Sequence, residues 1–334
     1  MRTRHASAQG FTLTELMVSV AVMAIVMMYL MGSFTTQHHT YVMMDQVSEA
    51  QQNLRAINDL IESEIRTSGF MVPEQAAVCG KDNANAPDVL LVSDAGAIDP
   101  TGQKKANLGA DVVNGTPGTG SGTAIVVSNL VLDGAPAYDT DGNGVADSDF
   151  QCVTGSCTAA GRLAGGVIVV DAANAPRGAA CGIIQRIQGT TIVANMLNTL
   201  GGAITNTPQL KAIPAHVYQI DAQNRLLRDN LVLANDVEDL QVAWFFDLDQ
   251  DGQVDPGEYR GIGGGTAYNP AAVDGTFLRE VRANVVIRTR TQDDRLSGGK
   301  FQATENRGAV AAQDGFRRRV LTTTVRLRNV GTRG

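Results

Sequence analysis

The stretch Gly10–Phe34, GFTLTELMVSVAVMAIVMMYLMGSF, decides how the rest of the chain is read. Its 24 residues from Phe11 to Phe34 contain one charge, Glu15, and one helix-weakening glycine, Gly32. A helix rising 1.5 Å per residue needs about 20 residues to cross a bilayer core, so this segment is long enough. Ahead of it stands MRTRHASAQG, with Arg2 and Arg4 and no acid. Such a basic flank stays cytoplasmic and the remainder is exported. An ordinary secretory signal places its apolar core before a small-residue cut. Here the small residue, Gly10, precedes the apolar core, so a cut after Gly10 leaves the mature protein beginning with a membrane helix. A carboxylate in such a helix costs about 2.5–3.5 kcal/mol on insertion scales and needs a partner. The new amino terminus of a neighbouring Phe11 is a suitable cation for Glu15, and the pair would set the axial register between subunits. The competing reading is a Glu15 that snorkels to the nearby cytoplasmic interface.

The helix is expected to run on past the membrane. No proline occurs before Pro73, and Val47, Ala50, Leu54, Ile57, Ile61 and Ile65 recur at steps of three and four as one apolar stripe. Gln51, Gln52, Asn53, Arg55, Asn58, Asp59, Glu62 and Glu64 cover the other faces. A continuous helix over residues 11–68 would be about 87 Å long. Its first half is apolar all round and its second half amphipathic, so the second half packs on a globular head. Gly69 reads as the stop, and Pro73 prevents continuation.

Beyond residue 74 the helical period fades into short β-rich runs. These are Asp88–Ser93, Thr123–Leu132, Val167–Asp171, Ile183–Ile187, Thr191–Leu197, Val217–Asp221, Arg225–Val232 and Leu240–Phe246, closed by Glu280–Thr291 and Phe316–Arg328. The runs flanking Ala222-Gln223-Asn224 read as a hairpin. Gly/Ala/Asn/Thr-rich stretches at Asp94–Gly122 and Gly261–Asp274 read as long surface loops. The fold class expected is α+β: a long N-terminal α-helix, its first half membrane-spanning, packed on a mainly antiparallel β head.

Composition agrees. The chain has 334 residues, 36 of them glycine and only 5% aromatic, which suits short strands and loops rather than a compact helical enzyme. Its formal charge of −7 argues against nucleic acid as a partner. The charge is polarised: residues 279–334 carry 13 Lys/Arg against 5 Asp/Glu, and residues 11–278 carry 12 against 29. Such halves can pair within one chain or between head-to-tail neighbours.

The order of parts at the N-terminus resembles the class III signal of type IV pilins and type II secretion pseudopilins. Gly10, Phe11, Thr12, Leu13, Glu15 and Leu16 match that motif position by position. The resemblance implies cleavage after Gly10 and N-methylation of Phe11 by a prepilin peptidase, then insertion into a helical filament. Within the head, NDVEDLQVAWFFD (Asn235–Asp247), VRANVVIRTRT (Val281–Thr291) and FRRRVLTTTVRLRN (Phe316–Asn329) resemble blocks of PilW-type minor pilins, a plan shared by the J-class pseudopilins. Residues 94–165 resemble nothing named. The resemblance further implies a leader over 1–10, a transmembrane and filament-core helix over 11–34, its amphipathic continuation over 35–70 and a head over 71–334. The implied function is a minor pilin of a type IV pilus, acting in assembly initiation or the tip complex. The alternatives are a type II secretion pseudopilin and a pilus-tip adhesin. Implied partners are other major and minor pilins, the prepilin peptidase, the inner-membrane assembly platform and a tip adhesin. The expected location is the inner membrane with a periplasmic head before assembly, and the pilus at the cell surface afterwards.

One acidic segment, DLDQDGQVDPGE, points to calcium. It puts Asp247, Asp249, Asp251, Gly252, Asp255 and Glu258 at loop positions 1, 3, 5, 6, 9 and 12 of an EF-hand-like loop, with Gln253 placed to offer its backbone carbonyl. Ca²⁺ takes six to eight hard oxygens, and alternating carboxylates with a turn-forming glycine and a terminal Glu supply them. Because Gln241–Phe246 reads as strand, the loop is expected on a β scaffold. A second segment, DTDGNGVADSD, offers Asp139, Asp141, Asn143 and Asp147, but its twelfth position is Phe150, with Asp149 one place early. For both, the competing reading is a solvated acidic turn.

The four cysteines, Cys79, Cys152, Cys157 and Cys181, suggest two disulfides in an exported head, with three pairings open. The set expected is a local Cys152–Cys157 and a long-range Cys79–Cys181. Zinc is a poor match to this spacing. No nucleophile elbow occurs, Gly115–Gly122 lacks the lysine of a phosphate loop, and His38, His39 and His216 make no catalytic pattern. The chain reads as a structural subunit and not an enzyme.

Overall fold

A computed structural model describes residues 12–70, 72–93, 120–126, 164–188, 191–202, 205–206, 208–293, 295–296, 301, 303–309 and 314–331. The chain divides into two compact units, residues 1–49 and 50–334. Helix α1, Leu13–Thr67, starts in the first and ends in the second.

Up to Phe34 the helix is apolar and bare. Leu13, Met17, Met23, Tyr29 and Phe34 are all more than half exposed, and by length and composition the segment can cross a membrane. Gly32 does not break it. The hydroxyls of Thr35 and Thr36 both donate to the Gly32 carbonyl, at 3.0 and 2.9 Å, which keeps the polar groups of this turn satisfied.

In the second unit the expected stripe is buried. Ala50, Leu54, Ile57, Ile61 and Ile65 are 7% exposed or less and enter one core with residues of the head. The helix ends where its carbonyls find other partners. Ser68 Oγ donates to the Ile65 carbonyl at 2.7 Å, and Asn329 Nδ2 donates to the carbonyls of Thr67 and Ser68 at 3.1 Å. Gly69 turns the chain away at φ 79°, a conformation that favours glycine, and a Cβ there would lie 2.9 Å from Val330 Cγ2.

Thirteen strands lie among the described residues of the head: β1 Val78–Lys81, β2 Val89–Val92, β3 Gly120–Val126, β4 Gly166–Asp171, β5 Ala179–Gln188, β6 Thr191–Met196, β7 Leu210–Ile220, β8 Leu226–Arg228, β9 Leu231–Ala234, β10 Val237–Phe246, β11 Tyr259–Arg260, β12 Leu278–Arg288 and β13 Arg318–Arg326. The larger sheet runs β1-β2-β7-β4-β5-β6-β3, with β8 on β7 and β9 on β8. The smaller runs β11-β10-β12-β13. Every ladder between these strands is antiparallel.

Alternation along the smaller sheet explains where it packs. Val242, Trp244 and Phe246 of β10, Val281, Ala283, Val285 and Ile287 of β12, and Val325 of β13 turn one face into the core that holds the helix stripe. Trp244 stacks on Tyr268 with ring centroids 3.8 Å apart. The larger sheet contributes Val78, Leu90, Val92, Tyr218 and Leu226 to the same core. Its remaining apolar residues make two further clusters, one around Ile168, Cys181 and Ile213 and one around Val169, Ile184 and Ile192.

Two expected elements differ in detail, and two short strands are additional. The run Arg225–Val232 is two strands, because Asp229 and Asn230 both adopt positive φ, 51° and 69°, and form a tight turn. Buried Asp229 accepts the Val217 N–H at 2.8 Å and pairs with His216 Nδ1 at 2.7 Å, so this turn is fastened from inside. Burial alone would lower the His216 pKa, but the Asp229 carboxylate outweighs it and the net shift is upward. Strand β7 starts at Leu210, well before the expected Val217. Pro214 argues against a central strand, but it lies beyond the β2 ladder, which reaches only His216. Strands β1 and β11 are too short to show in an alternation pattern.

Two features fix the elements to one another. Glu64 on α1 accepts from Tyr218 Oη at 2.5 Å and from Arg228 Nη2 at 2.6 Å, tying the helix to β7 and β8. A disulfide joins Cys79 of β1 to Cys181 of β5, with Cα atoms 6.2 Å apart and a sequence separation of 102. Closing a loop of about 100 residues removes on the order of 4.7 kcal/mol of unfolded-state entropy in the chain-entropy account. Cys152 and Cys157 lie outside the described residues.

Asp88 links the two sheets. It is fully buried, and its carboxylate accepts the N–H of Asn83 at 2.7 Å and of Val242 at 2.8 Å. Burial pushes its pKa up to about 8, despite those two hydrogen bonds, with Asp82 and Asp239 adding in the same direction. A carboxyl raised in the folded state above its ordinary value contributes stability below pH ~4, and that contribution is lost as pH rises through the folded value. The Asp88→Asn variant removes this loss. Thermal melts of the full-length protein in detergent between pH 5 and 9 should therefore fall less steeply for the variant than for the parent; parallel curves would show that Asp88 does not carry the effect. In the same assay at fixed pH, Ile61→Ala should destabilise by about 2–5 kcal/mol through loss of contact and cavity formation.

Candidate functional site

Two places hold the candidate residues, the start of α1 and the turn between β10 and β11. At the first, Thr12 and Glu15 form a reciprocal helix cap. Thr12 N–H and Thr12 Oγ1 donate to Glu15 Oε2 at 2.9 and 2.8 Å, and Glu15 N–H donates to Thr12 Oγ1 at 3.3 Å. This is the capping-box geometry of a T-x-x-E sequence, which satisfies orphan donors of the first helical turn. Glu15 Oε1 takes no partner among the described residues. Gly10 and Phe11 lie outside those residues.

At the second, β10 ends at Phe246 and the acidic segment begins. The Asp247 N–H donates to the Phe277 carbonyl at 2.9 Å, which anchors the loop at its first residue. Asp249 Oδ1 then accepts the Asp251 N–H at 3.3 Å, and Asp251 Oδ1 accepts the Gln253 N–H at 2.8 Å. With Gln250 at φ 63° and Gly252 at φ 85°, these turns curl the segment so that Asp247, Asp249 and Asp251 each offer a carboxylate oxygen within 4.8 Å of the others. Asp249 and Asp251 are exposed; Asp247 is 1% exposed.

The later loop positions behave differently. Glu258 is buried, its Oε1 accepting the N–H of Leu248 at 2.6 Å and of Asp249 at 3.4 Å, its Oε2 that of Asp255 at 2.8 Å. Its carboxyl is held below the usual range, first by the Asp255 N–H and then by those of Leu248 and Asp249, against the opposing effect of burial. Asp255 and Gln253 are exposed. The fold thus gathers three of the five expected carboxylates and places Glu258 beneath them as the brace of the loop.

Arg279, at the start of β12, is not foreseeable from the loop spacing. Its Nε and Nη2 approach Asp247 Oδ2 at 3.0 and 2.9 Å. Burial would raise the Asp247 pKa, but Arg279 outweighs it and holds the carboxyl below the usual range, with the nearby N–H groups of Gly252 and Gln250 helping. Those two N–H groups complete no hydrogen bond with Asp247 Oδ1, which is buried without a partner. The loop also forms one wall of an open groove whose other walls include Arg66, Arg326 and Arg328. Asp139, Asp141, Asn143 and Asp147 of the second acidic segment lie outside the described residues.

The comparisons with known proteins fall on these same regions. Residues 6–31 match the prokaryotic N-terminal methylation motif, and residues 201–329 match the family described as Type IV Pilus-assembly protein W, PilW. The second match runs from just before β7 to just after β13 and so includes the acidic loop. No curated protein matches the chain in sequence. A type IV-like pilin from Thermus thermophilus is similar at 10% identity, over 86% of this chain and 97% of that one, with a TM-score of 0.29, a superposition too loose to say anything of the fold. The chain therefore joins a prokaryotic N-terminal methylation motif, where the apolar helix begins, to a PilW-like region across the smaller sheet.

Proposed function

We propose that the chain is a PilW-type minor pilin that acts in the complex that initiates the pilus or forms its tip, with Phe11 and Glu15 as assembly residues and the head as a contact surface for other pilins. The observation that carries the reading is the state of Glu15. One of its oxygens caps its own helix while the other has no partner among the described residues, at the edge of a bare apolar helix. A half-satisfied carboxylate in lipid favours a cation, and the methylated amino terminus of Phe11 on an adjacent subunit provides one. The same chemistry explains the dependence on the prepilin peptidase, since only cleavage after Gly10 creates that amino terminus. Before assembly the anchored chain holds its head in the periplasm, where the Cys79–Cys181 disulfide is stable. The head region from residue 71 to 334 is bulky for dense packing along a filament, which favours a low copy number.

Counting surface pili by electron microscopy in a deletion strain, its complemented parent and a strain carrying Glu15→Ala tests this role. Deletion should abolish or strongly reduce pili, and the parent gene should restore them. Glu15→Ala should accumulate normally in the inner membrane yet fail to restore them. Normal piliation in the deletion strain would turn the reading toward a type II secretion pseudopilin or an adhesin. Quantitative mass spectrometry of sheared pili should find the protein far below the major subunit, beginning at N-methylated Phe11; a stoichiometry equal to the major subunit would defeat the low-copy reading.

A further inference from the structure

An acidic turn by itself is an ordinary solvated loop. One buried atom sets Asp247–Glu258 apart. Asp247 is 1% exposed, its Oδ2 is used by Arg279, and its Oδ1 is sealed from solvent with no hydrogen bond made to it. A buried carboxylate oxygen left unpaired is costly, so such atoms call for a partner of positive charge. One carboxylate oxygen from each of Asp247, Asp249 and Asp251 lies within 4.8 Å of the other two.

We infer that Asp247–Glu258 binds one Ca²⁺, with Asp247 Oδ1 as the interior ligand. Asp249 and Asp251 supply two exposed carboxylate oxygens, and the backbone carbonyl of Gln253 a fourth oxygen. Asp255 lies at the position that reaches the ion through water. Glu258 closes the site. Its Oε1 is taken up by the N–H groups of Leu248 and Asp249, while Oε2 accepts only that of Asp255 and keeps a second lone pair for a ligand. With Glu258 Oε2 this gives about five oxygens from the protein, or six with the bridged water, the lower end of the range Ca²⁺ takes. Five carboxylates against the single guanidinium of Arg279 leave an excess of negative charge for a dication. Mg²⁺ demands a tight octahedron and sheds its waters reluctantly, so a site built mainly of protein oxygens discriminates against it. The site requires no helix-loop-helix: β10 and β11 pair on either side of it and hold its two ends together.

Calorimetric titration of CaCl₂ into the full-length, chelator-treated protein in detergent tests the assignment. The double variant D249N/D251N is suited to it, because both side chains are exposed and their removal leaves Asp247, Arg279 and the Glu258 brace intact. The parent should bind Ca²⁺ in the presence of millimolar Mg²⁺, and the variant should bind one ion fewer, or bind that ion at least tenfold more weakly. Absence of Ca²⁺ binding by the parent would overturn the inference, and so would equal stoichiometry and affinity in parent and variant. Counting the difference between the two proteins separates this loop from any ion taken by residues 139–149. The outcome is independent of piliation, so the site and the assembly role fail separately.

Discussion

The structure of the head depends on one helix changing its chemistry part way along. Up to Phe34 the apolar side chains point in every direction, and from Ala50 onward they collapse to a single stripe ending at Ile65. Only a stripe can pack on a sheet while leaving polar faces to water. Five side chains of that stripe are buried, and each of the larger ones contributes about 1.5–3 kcal/mol by leaving water. They meet the apolar face of the smaller sheet and the end of the larger one together, so the same few residues join two sheets that share no ladder. Everything at the helix end then has to fit: Gly69 must turn without a side chain, Asn329 must reach back to cap the last carbonyls, and Glu64 must face Tyr218 and Arg228. A change anywhere along this seam therefore acts on both sheets at once.

The parts of the fold that sequence makes legible are those with a repeating signal. The stripe repeats over about four turns, and every second residue of β10 from Leu240 to Phe246 and of β12 from Val281 to Ile287 enters the same core. The parts that stay hidden are set by single contacts. Asp229-Asn230 looks like part of a strand until its partners His216 and Val217 are seen, and Pro214 looks like a break until the neighbouring ladder is seen to end at His216. Four cysteines leave three pairings open, and the meeting of β1 with the β5 side of the larger sheet is what brings Cys79 to Cys181. At the N-terminus the T-x-x-E cap is readable from spacing alone, but the same Glu15 also carries the filament motif, and a residue read for one role is easily missed for another.

The acidic loop shows the same division between local and distant information. Spacing along the chain supplies its oxygens, because positions two apart in a tight turn bring side chains together. It says nothing of Arg279, 32 residues further on, which reaches the loop only because β12 lies antiparallel to β10 and starts where β10 ends. That arrangement also accounts for much of the polarised charge. Arg279, Arg307 and Arg318 of the basic C-terminal part find Asp247, Asp239 and Glu238 on and beside β10, so opposite charges distant in sequence are paired across one sheet.

Arg279 gives the loop two properties that would otherwise conflict. Five carboxylates confined to one turn repel each other, and without a counter-charge the segment would open. Pairing Asp247 Oδ2 with a guanidinium removes part of that repulsion and holds the first carboxylate inside the fold before any ion arrives. Because Arg279 approaches one oxygen only, the other stays turned inward and unpaired. A bidentate grip on both oxygens would have left a quiet structural ion pair of the kind that Arg282 makes with Glu305. The one-sided contact instead leaves a preformed point of negative charge, braced from below by Glu258, on the edge of an arginine-lined groove. A cation bound there would sit between the loop and the basic strand, raising the positive potential of the groove that the strand lines.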